Sequence, residues 1–243
     1  MISGTSDESR RNAARVAGAA YLLALPLAIF AEFYVAGKVL VSDSAVQTAV
    51  NLAAHERLFR LGIASNLGVL ALDVVLITAL YVVLESIHRS LALLAAFWRL
   101  VETAVLVVAT LDDLDALRVL GDASYLKAFG GDRLQVLARL AIGGHGAAYG
   151  VGLMFTGLGS SLFCYLWLKS DLVPKALAGF GLFASILLSI SMCAFIIFPE
   201  LRNFVTVGYY GGPIFLFELT MGLWLVSKGL PMHMAPDPLA KRY

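Results

Sequence analysis

Long apolar runs alternate with short polar joints along this chain. Six runs reach the roughly 20 residues that a bilayer crossing needs at 1.5 Å rise per residue: Val16–Gly37, Arg60–Leu84, Ser90–Leu111, Leu140–Leu168, Ala176–Phe198 and Tyr209–Ser227. Ser90 reads as the N-cap of the third run. Pro174 stands just ahead of the fifth, where proline is tolerated, and Pro26 predicts a kink inside the first. The joint DSAVQTAVNLAAHERL, residues 43–58, has an apolar stripe at helical spacing and reads as an interfacial helix on the outer surface. Residues 112–139 carry two amphipathic patches, LDALRVL and DRLQVLARL, around FGGD, and are expected to form an outer cap. The pattern predicts an all-α polytopic bundle of about six transmembrane helices spanning residues 15–229. Cytoplasmic tails at 1–14 and 230–243 flank it, the latter read as disordered. No internal repeat is visible.

Composition supports the pattern. Hydrophobic residues make up 60% of the 243 and charged residues only 14%, against about 25% charged in soluble domains. A net charge of +1 and the absence of a basic patch among aromatics exclude nucleic acid as a partner. Cys164 and Cys193 both lie in apolar runs and read as packing residues, with neither the number nor the spacing of a disulfide or zinc framework. SRRNAAR before the first run lacks the features of a cleaved leader, so Arg10, Arg11 and Arg15 read as an anchor. The short joints with Arg89, Lys169 and Lys175 are basic, whereas the other side balances its charges. That places both termini in the cytoplasm and the chain in a bacterial inner membrane.

Against this background the ionisable residues at membrane depth stand out: Glu32, Asp73, Arg99, Glu102 and Glu218, with Asn66 as a neutral companion. A charge at the bilayer centre costs at least about 2.5–3.5 kcal/mol, so such groups face a protein interior or a cavity. Asp73 lies 12 residues before Glu85, and Glu102 lies 12 after Ser90. Both therefore stand about 18 Å above the ESIHRS joint. Arg99 shares a helix face with Glu102 at i,i+3, so an Asp73–Arg99–Glu102 network is expected. Arg60 and His145 fall nearer the outer boundary, with Tyr149 one turn below His145. Four carboxylates against one deep arginine predict that at least one is protonated at neutral pH, unless a cation compensates.

Each feature also has a plainer reading. Arg99–Glu102 is equally well a register-setting pair, and Glu32 and Glu218 are equally well carboxyls bonded to a neighbouring helix. The glycines of GGHGAAYGVGLMFTGLG, including the pairs Gly146–Gly150 and Gly152–Thr156, read as close helix packing. Ser185 and Ser189 read as inter-helix hydrogen bonds, and Phe30, Phe33, Tyr34, Phe97 and Trp98 as aromatic packing. His55, Glu56 and His145 sit on distant segments without a ligand spacing, so no metal is assigned and no cofactor is named. LDDLDALRVLGD reads as a solvated outer face.

LAAHERLFRLGIASNL, ALLAAFWRLVETAVL, HGAAYGVGLMFTGLGSSLFCYLWLKS and FELTMGLWLVSKG together resemble an uncharacterised bacterial six-helix integral membrane family, a domain of unknown function. The resemblance runs from about Arg15 to Gly229, implies a six-helix membrane domain and brings no activity or cofactor. From the residues alone, the expectation is an outward-facing site that binds a lipophilic or small molecule. Glu102, Glu218, Asp73 and Glu32 would serve as acid–base groups, and Arg99, Asn66, His145, Tyr149 and Arg60 as binding groups. An intramembrane enzyme would use these for acid–base chemistry. A proton- or cation-coupled transporter, expected as a homo-oligomer, would use the acids as carriers, and a sensor or accessory protein would need only the packing.

Overall fold

Every one of the six apolar runs is helical. A computed structural model of the chain describes residues 7–41, 44–121 and 130–230, with no strand among them. Helix α1 (Asp7–Ile29) starts with Asp7 and Glu8 in its first turn, where carboxylates suit the helix dipole. It continues past Pro26 into a π-helical turn, Phe30–Val35, and the short α2 (Ala36–Val39). The first turns of α1 thus occupy part of the expected N-terminal tail, and Arg10 Nη2 donates to the Val83 carbonyl at 3.3 Å. Helix α3 (Ala45–Ala54) is capped by Ser44, whose Oγ accepts the Gln47 N–H at 3.1 Å. The expected interfacial helix 43–58 therefore divides at His55, where φ −119°, ψ 27° ends α3 before α4 begins.

Helix α4 (Glu56–Leu120) has 65 residues and would be about 100 Å long if straight. It is broken at His88, whose extended backbone (φ −159°, ψ 96°) separates two arms, residues 56–87 and 89–120. Arg99 on one arm touches Asp73 on the other at 3.1 Å, so the arms lie side by side as a hairpin. His88 Nδ1 accepts the Leu91 N–H at 3.3 Å. His88, rather than the expected Ser90, supplies the cap because the break falls two residues earlier.

Helix α5 (Gly131–Lys169) returns along this hairpin, and α6 (Lys175–Ile197) follows with Pro174 at its N-cap. A 3₁₀ turn, Pro199–Asn203, leads into α7 (Val207–Ser227). The expected outer cap at 112–139 is not a separate unit in its described part. Residues 112–120 extend α4 and residues 131–139 begin α5, while 122–129 lie outside the described residues, as does the tail from 231.

The distribution of side chains inverts that of a soluble protein. Leu67, Val108, Leu140, Phe183, Ile190 and Leu223 are exposed on the outer surface, while Asp73, Arg99, Glu102 and Asp113 are buried. Apolar surface of that extent needs hydrocarbon around it. Four helical segments, Asp7–Val39, Glu56–Leu120, Gly131–Lys169 and Lys175–Ile197, are long and apolar enough to cross a membrane.

Two apolar cores hold the bundle together. The larger gathers Tyr21, Leu84, Trp167, Phe217 and Met221 and runs along α6 as far as Phe195. The smaller joins Val35, Val39, Leu52, Phe59, Ile63 and Ile142 at the far end. Near the His88 end α1 and α7 cross at Gly18 and Gly222. A Cβ on Gly18 would stand 2.8 Å from Leu225 Cβ and 2.9 Å from the Gly222 carbonyl oxygen.

Candidate functional site

Arg99 is the centre of the buried network. Its Nη2 donates to Asp73 Oδ1 at 3.1 Å, and its Nη1 is 2.9 Å from Glu102 Oε2. The side chains are 5%, 10% and 4% exposed for Arg99, Asp73 and Glu102. The Nη1–Oε2 contact is close but poorly aligned, so neither atom completes a hydrogen bond. The network forms because the His88 hairpin brings residue 73 level with residue 99, while i,i+3 spacing puts Glu102 on Arg99's face. Gly159 of α5 makes room for it: a Cβ there would lie 2.6 Å from Arg99 Cγ. Thr156, one turn before Gly159, places its hydroxyl beside Glu102. Glu218 and Tyr21 stand within electrostatic reach of Arg99.

A second cluster forms toward the far end. The π-helical turn at Phe30–Val35 carries Glu32, and such turns are common at functional positions. Asn66 Nδ2 donates to Glu32 Oε1 at 2.8 Å. His145 lies between two acids, with Nε2 3.5 Å from Glu32 Oε2 and Nδ1 3.0 Å from Asp113 Oδ2. Nδ1 is also 3.2 Å from the Ala109 carbonyl oxygen, which can only accept, so that contact requires the proton on Nδ1. Nε2 then faces Glu32, with which it forms an ion pair when the ring is protonated. The Tyr149 ring stacks on His145 with centroids 5.7 Å apart and planes at 11°. Asp113 and Glu32 approach opposite nitrogens of one ring, so the three cannot converge on one metal ion. Among the described residues no group of three or more His, Cys, Asp or Glu side chains is placed to hold one.

The second cluster lines cavities, and Glu218 and Thr156, beside the first, line one of them. One cavity of about 970 Å³ lies between α1, α5, α6 and α7 on the far-end side of the Gly18–Gly222 crossing. Its wall is mainly apolar, with Glu32, Tyr149, Thr156, Arg202, Tyr210 and Glu218 as the principal polar groups. A smaller cavity of about 240 Å³ is lined by Glu32, Asn66, Asp113, His145 and Tyr149. The two share Glu32, Gly146 and Tyr149 as a common wall. The larger volume falls within the range of about 300–1,000 Å³ typical of small-molecule sites.

The residues singled out in the sequence are thus arranged in two groups. Asp73, Arg99 and Glu102 form one, with Glu218 beside it on the cavity wall. Glu32, Asn66, His145 and Tyr149 form the other. Arg60 is apart from both, bonded through Nε to Glu56 Oε1 at 2.8 Å on an exposed face. His55 ends α3 and takes no part in either group. Gly152 packs closely against Leu106, and Ser189 Oγ donates across helices to the Met154 carbonyl at 2.8 Å. Gly146 and Gly150 do not pack against a neighbouring helix; both line the large cavity instead. Phe33, Tyr34 and Phe97 are exposed, and only Phe33 borders that cavity. LDDLDALRVLGD is not wholly a solvated face: Asp115 pairs with Arg118 at 2.9 Å in the open, but Asp113 points inward.

Asp113 had a legible signal. It lies 11 residues beyond Glu102, which is three helical turns with only about 20° of drift. Continuing the third run past Leu111 puts Asp113 on the buried face. Tyr21, Thr156 and Arg202 had no comparable signal, since their roles depend on helices remote in sequence.

Helices with apolar exteriors around a buried polar layer define a polytopic α-helical membrane protein. More particularly, residues 16–229 match the family described as Domain of unknown function (DUF4386), and the chain belongs to that family. Comparison with curated proteins and with solved structures finds no match.

Proposed function

We propose that this chain is a multi-pass protein of a bacterial cytoplasmic membrane that binds a lipophilic small molecule in the 970 Å³ cavity. The carrying observation is the position of Glu218. Its carboxyl borders a largely apolar space at the depth of the buried Arg99 network, and no described hydrogen bond or ion pair satisfies it. Two crossings by the arms of α4, together with α1, α5, α6 and α7, give six spans. The basic residues Arg10, Arg11, Arg15, Arg89, Lys169 and Lys175 lie at the His88 end and favour that end as cytoplasmic. The cavity then opens toward the external face, and the tight core below the Gly18–Gly222 crossing blocks the inner side.

The test uses the full chain purified in a neutral detergent. Solvent extraction and mass spectrometry should recover a lipophilic molecule at a fixed ratio to protein. Gly146→Phe should lose it, because a Cβ at Gly146 meets nothing within 4 Å and the ring has only the cavity to fill. Equal recovery from both proteins would refute the site.

Acid–base chemistry on the bound molecule is a second reading, favoured by Glu32. That carboxyl borders the large cavity and also faces His145 Nε2 at 3.5 Å, while the ring's far nitrogen rests on Asp113. A proton taken at Glu32 can pass to His145, with the resulting charge stabilised by Asp113. Glu32→Gln should then retain a chemically different molecule from the one held by the unchanged protein. The same molecule in both would exclude a reaction that depends on Glu32.

A further inference from the structure

From the charges around the large cavity we infer that its ligand is a lipophilic cation, an amphiphile whose positive centre is seated against Glu218 among aromatic rings. This rests on the cavity-binding reading above and specifies the chemistry of its occupant. Arg99 is the nearest buried cation, but its charge is already compensated by two carboxylates, Asp73 at 3.1 Å from Nη2 and Glu102 at 2.9 Å from Nη1. Glu218 feels that guanidinium only at a distance and is opposed by the Asp73 carboxylate. It therefore presents acceptor oxygens to the cavity with no donor supplied by the described residues.

The surrounding wall suits a cation better than an anion. Glu32 adds a second carboxyl, and Phe33, Tyr149, Phe195, Tyr210 and Phe215 supply ring faces. Ring faces attract cations, most strongly when both are desolvated. Arg202 is the basic residue on the wall. It belongs to the 3₁₀ turn at the far-end mouth, where its guanidinium lies 5.8 Å from the Phe195 ring centroid. An anion could meet Arg202 at the mouth, but entry beyond it leads toward Glu218, with no free cation at depth among the described residues. A cation gains in the opposite order, passing the mouth and settling where the carboxyl and the rings coincide. A neutral lipophile would fill the apolar volume and leave the Glu218 oxygens without a partner once water is displaced.

Tetraphenylphosphonium and tetraphenylborate match in size and shape and differ in sign of charge, so they separate the electrostatic requirement from the apolar one. Equilibrium dialysis of each against the full-length protein in a neutral detergent measures the affinity. The phosphonium should bind saturably at one per chain and at least tenfold more tightly than the borate. Glu218→Gln should weaken the phosphonium about tenfold or more without lowering the melting temperature of the unliganded protein. Arg202→Gln should leave phosphonium binding intact or strengthen it. Gly146→Phe should abolish it.

Equal binding of both ions, lost in Gly146→Phe, would overturn the cation assignment while leaving the cavity reading in place. Preferential borate binding would overturn it in favour of an anion site at Arg202. Undiminished phosphonium binding in Glu218→Gln would remove Glu218 from the site. If that variant fails to fold, the comparison of the two ions in the unchanged protein still decides. No binding of either ion, with no molecule co-purifying, would overturn both readings.

Discussion

Arg99 illustrates how one side chain can be costly alone and tolerated in company. Asp73 and Glu102 compensate it inside a layer that holds little other charge, and Gly159 supplies the space in which its methylenes lie. Removing a single partner from a buried ion pair costs about 3–5 kcal/mol, because an uncompensated charge stays behind. Asp73→Asn and Arg99→Gln should each lower the unfolding free energy in detergent by that order, measured by thermal or denaturant melts. Replacing all three residues together by Met or Leu should restore most of that stability, since apolar groups of similar volume often substitute well for a buried ionic set. Gly159→Val should be nearly as damaging as losing the arginine, because its Cβ would lie 2.6 Å from Arg99 Cγ and 3.0 Å from the Ala95 carbonyl oxygen.

Much of this was readable from residue spacing. The Asp73–Arg99–Glu102 meeting follows from a short joint and an i,i+3 step, both local facts. Glu32 beside Asn66 and His145 was less accessible, because the π-helical turn changes the phase of α1 after Ile29. Asp113 was hidden by two neighbouring aspartates that suggest water, although its distance from Glu102 marks the buried face. Glu218's proximity to Arg99 depends on how α7 packs, which no spacing within the chain encodes.

At the scale of elements, the π-helical turn sets two registers at once. Before it, α1 packs against α7 at Gly18 and Gly222. After it, Val35 packs on Gly62, where a Cβ would come within 3.0 Å of Val35 Cγ1. Deleting Phe33 would remove the extra residue that the turn absorbs, restore ordinary α-helical geometry and change the direction of Glu32 relative to Val35. Either Glu32 or Val35 then leaves its place. The expected outcome is a lower melting temperature together with loss of any ligand that depends on Glu32, checked by the same melts and extraction. The crossing of α1 and α7 is equally specific. Gly222→Leu should separate the two helices, since a Cβ there already meets Leu22 and Tyr21 at 3.0–3.1 Å. Thermal stability should fall by several degrees, and the cavity above the crossing should lose selectivity for its ligand.

Across the whole molecule, the helical class and the apolar spans were legible because bilayer thickness sets the length of a run and hydrocarbon dictates its composition. The sequence could not show that the polar joint at residues 112–139 continues the flanking helices. Amphipathic patches look alike whether they cap a bundle or prolong it. Nor could it show that the small residues Gly146 and Gly150 open a cavity, since glycine serves close packing and open space equally. Sidedness is tested directly. Single cysteines placed at residues 89 and 208 in a chain lacking Cys164 and Cys193 should differ in reaction with a membrane-impermeant thiol reagent, position 208 reacting from outside intact cells. The reverse pattern would invert the proposed topology.

The break at His88 also bears on how the chain enters a membrane. Asp73 and Arg99 are only 26 residues apart and sit on adjoining arms. Both emerge from the ribosome before α5 exists. A lone arginine would resist partitioning into lipid by about 2.5–3.5 kcal/mol, whereas a hairpin that closes this pair hands the translocation machinery a nearly neutral object. In a glycosylation-tag assay on microsomes, Asp73→Leu should reduce insertion of residues 89–120, while Glu218→Gln should not, because α7 is made later. The hairpin thus serves as a chaperone for its own charges, carrying them across an assembly step that neither arm would complete alone.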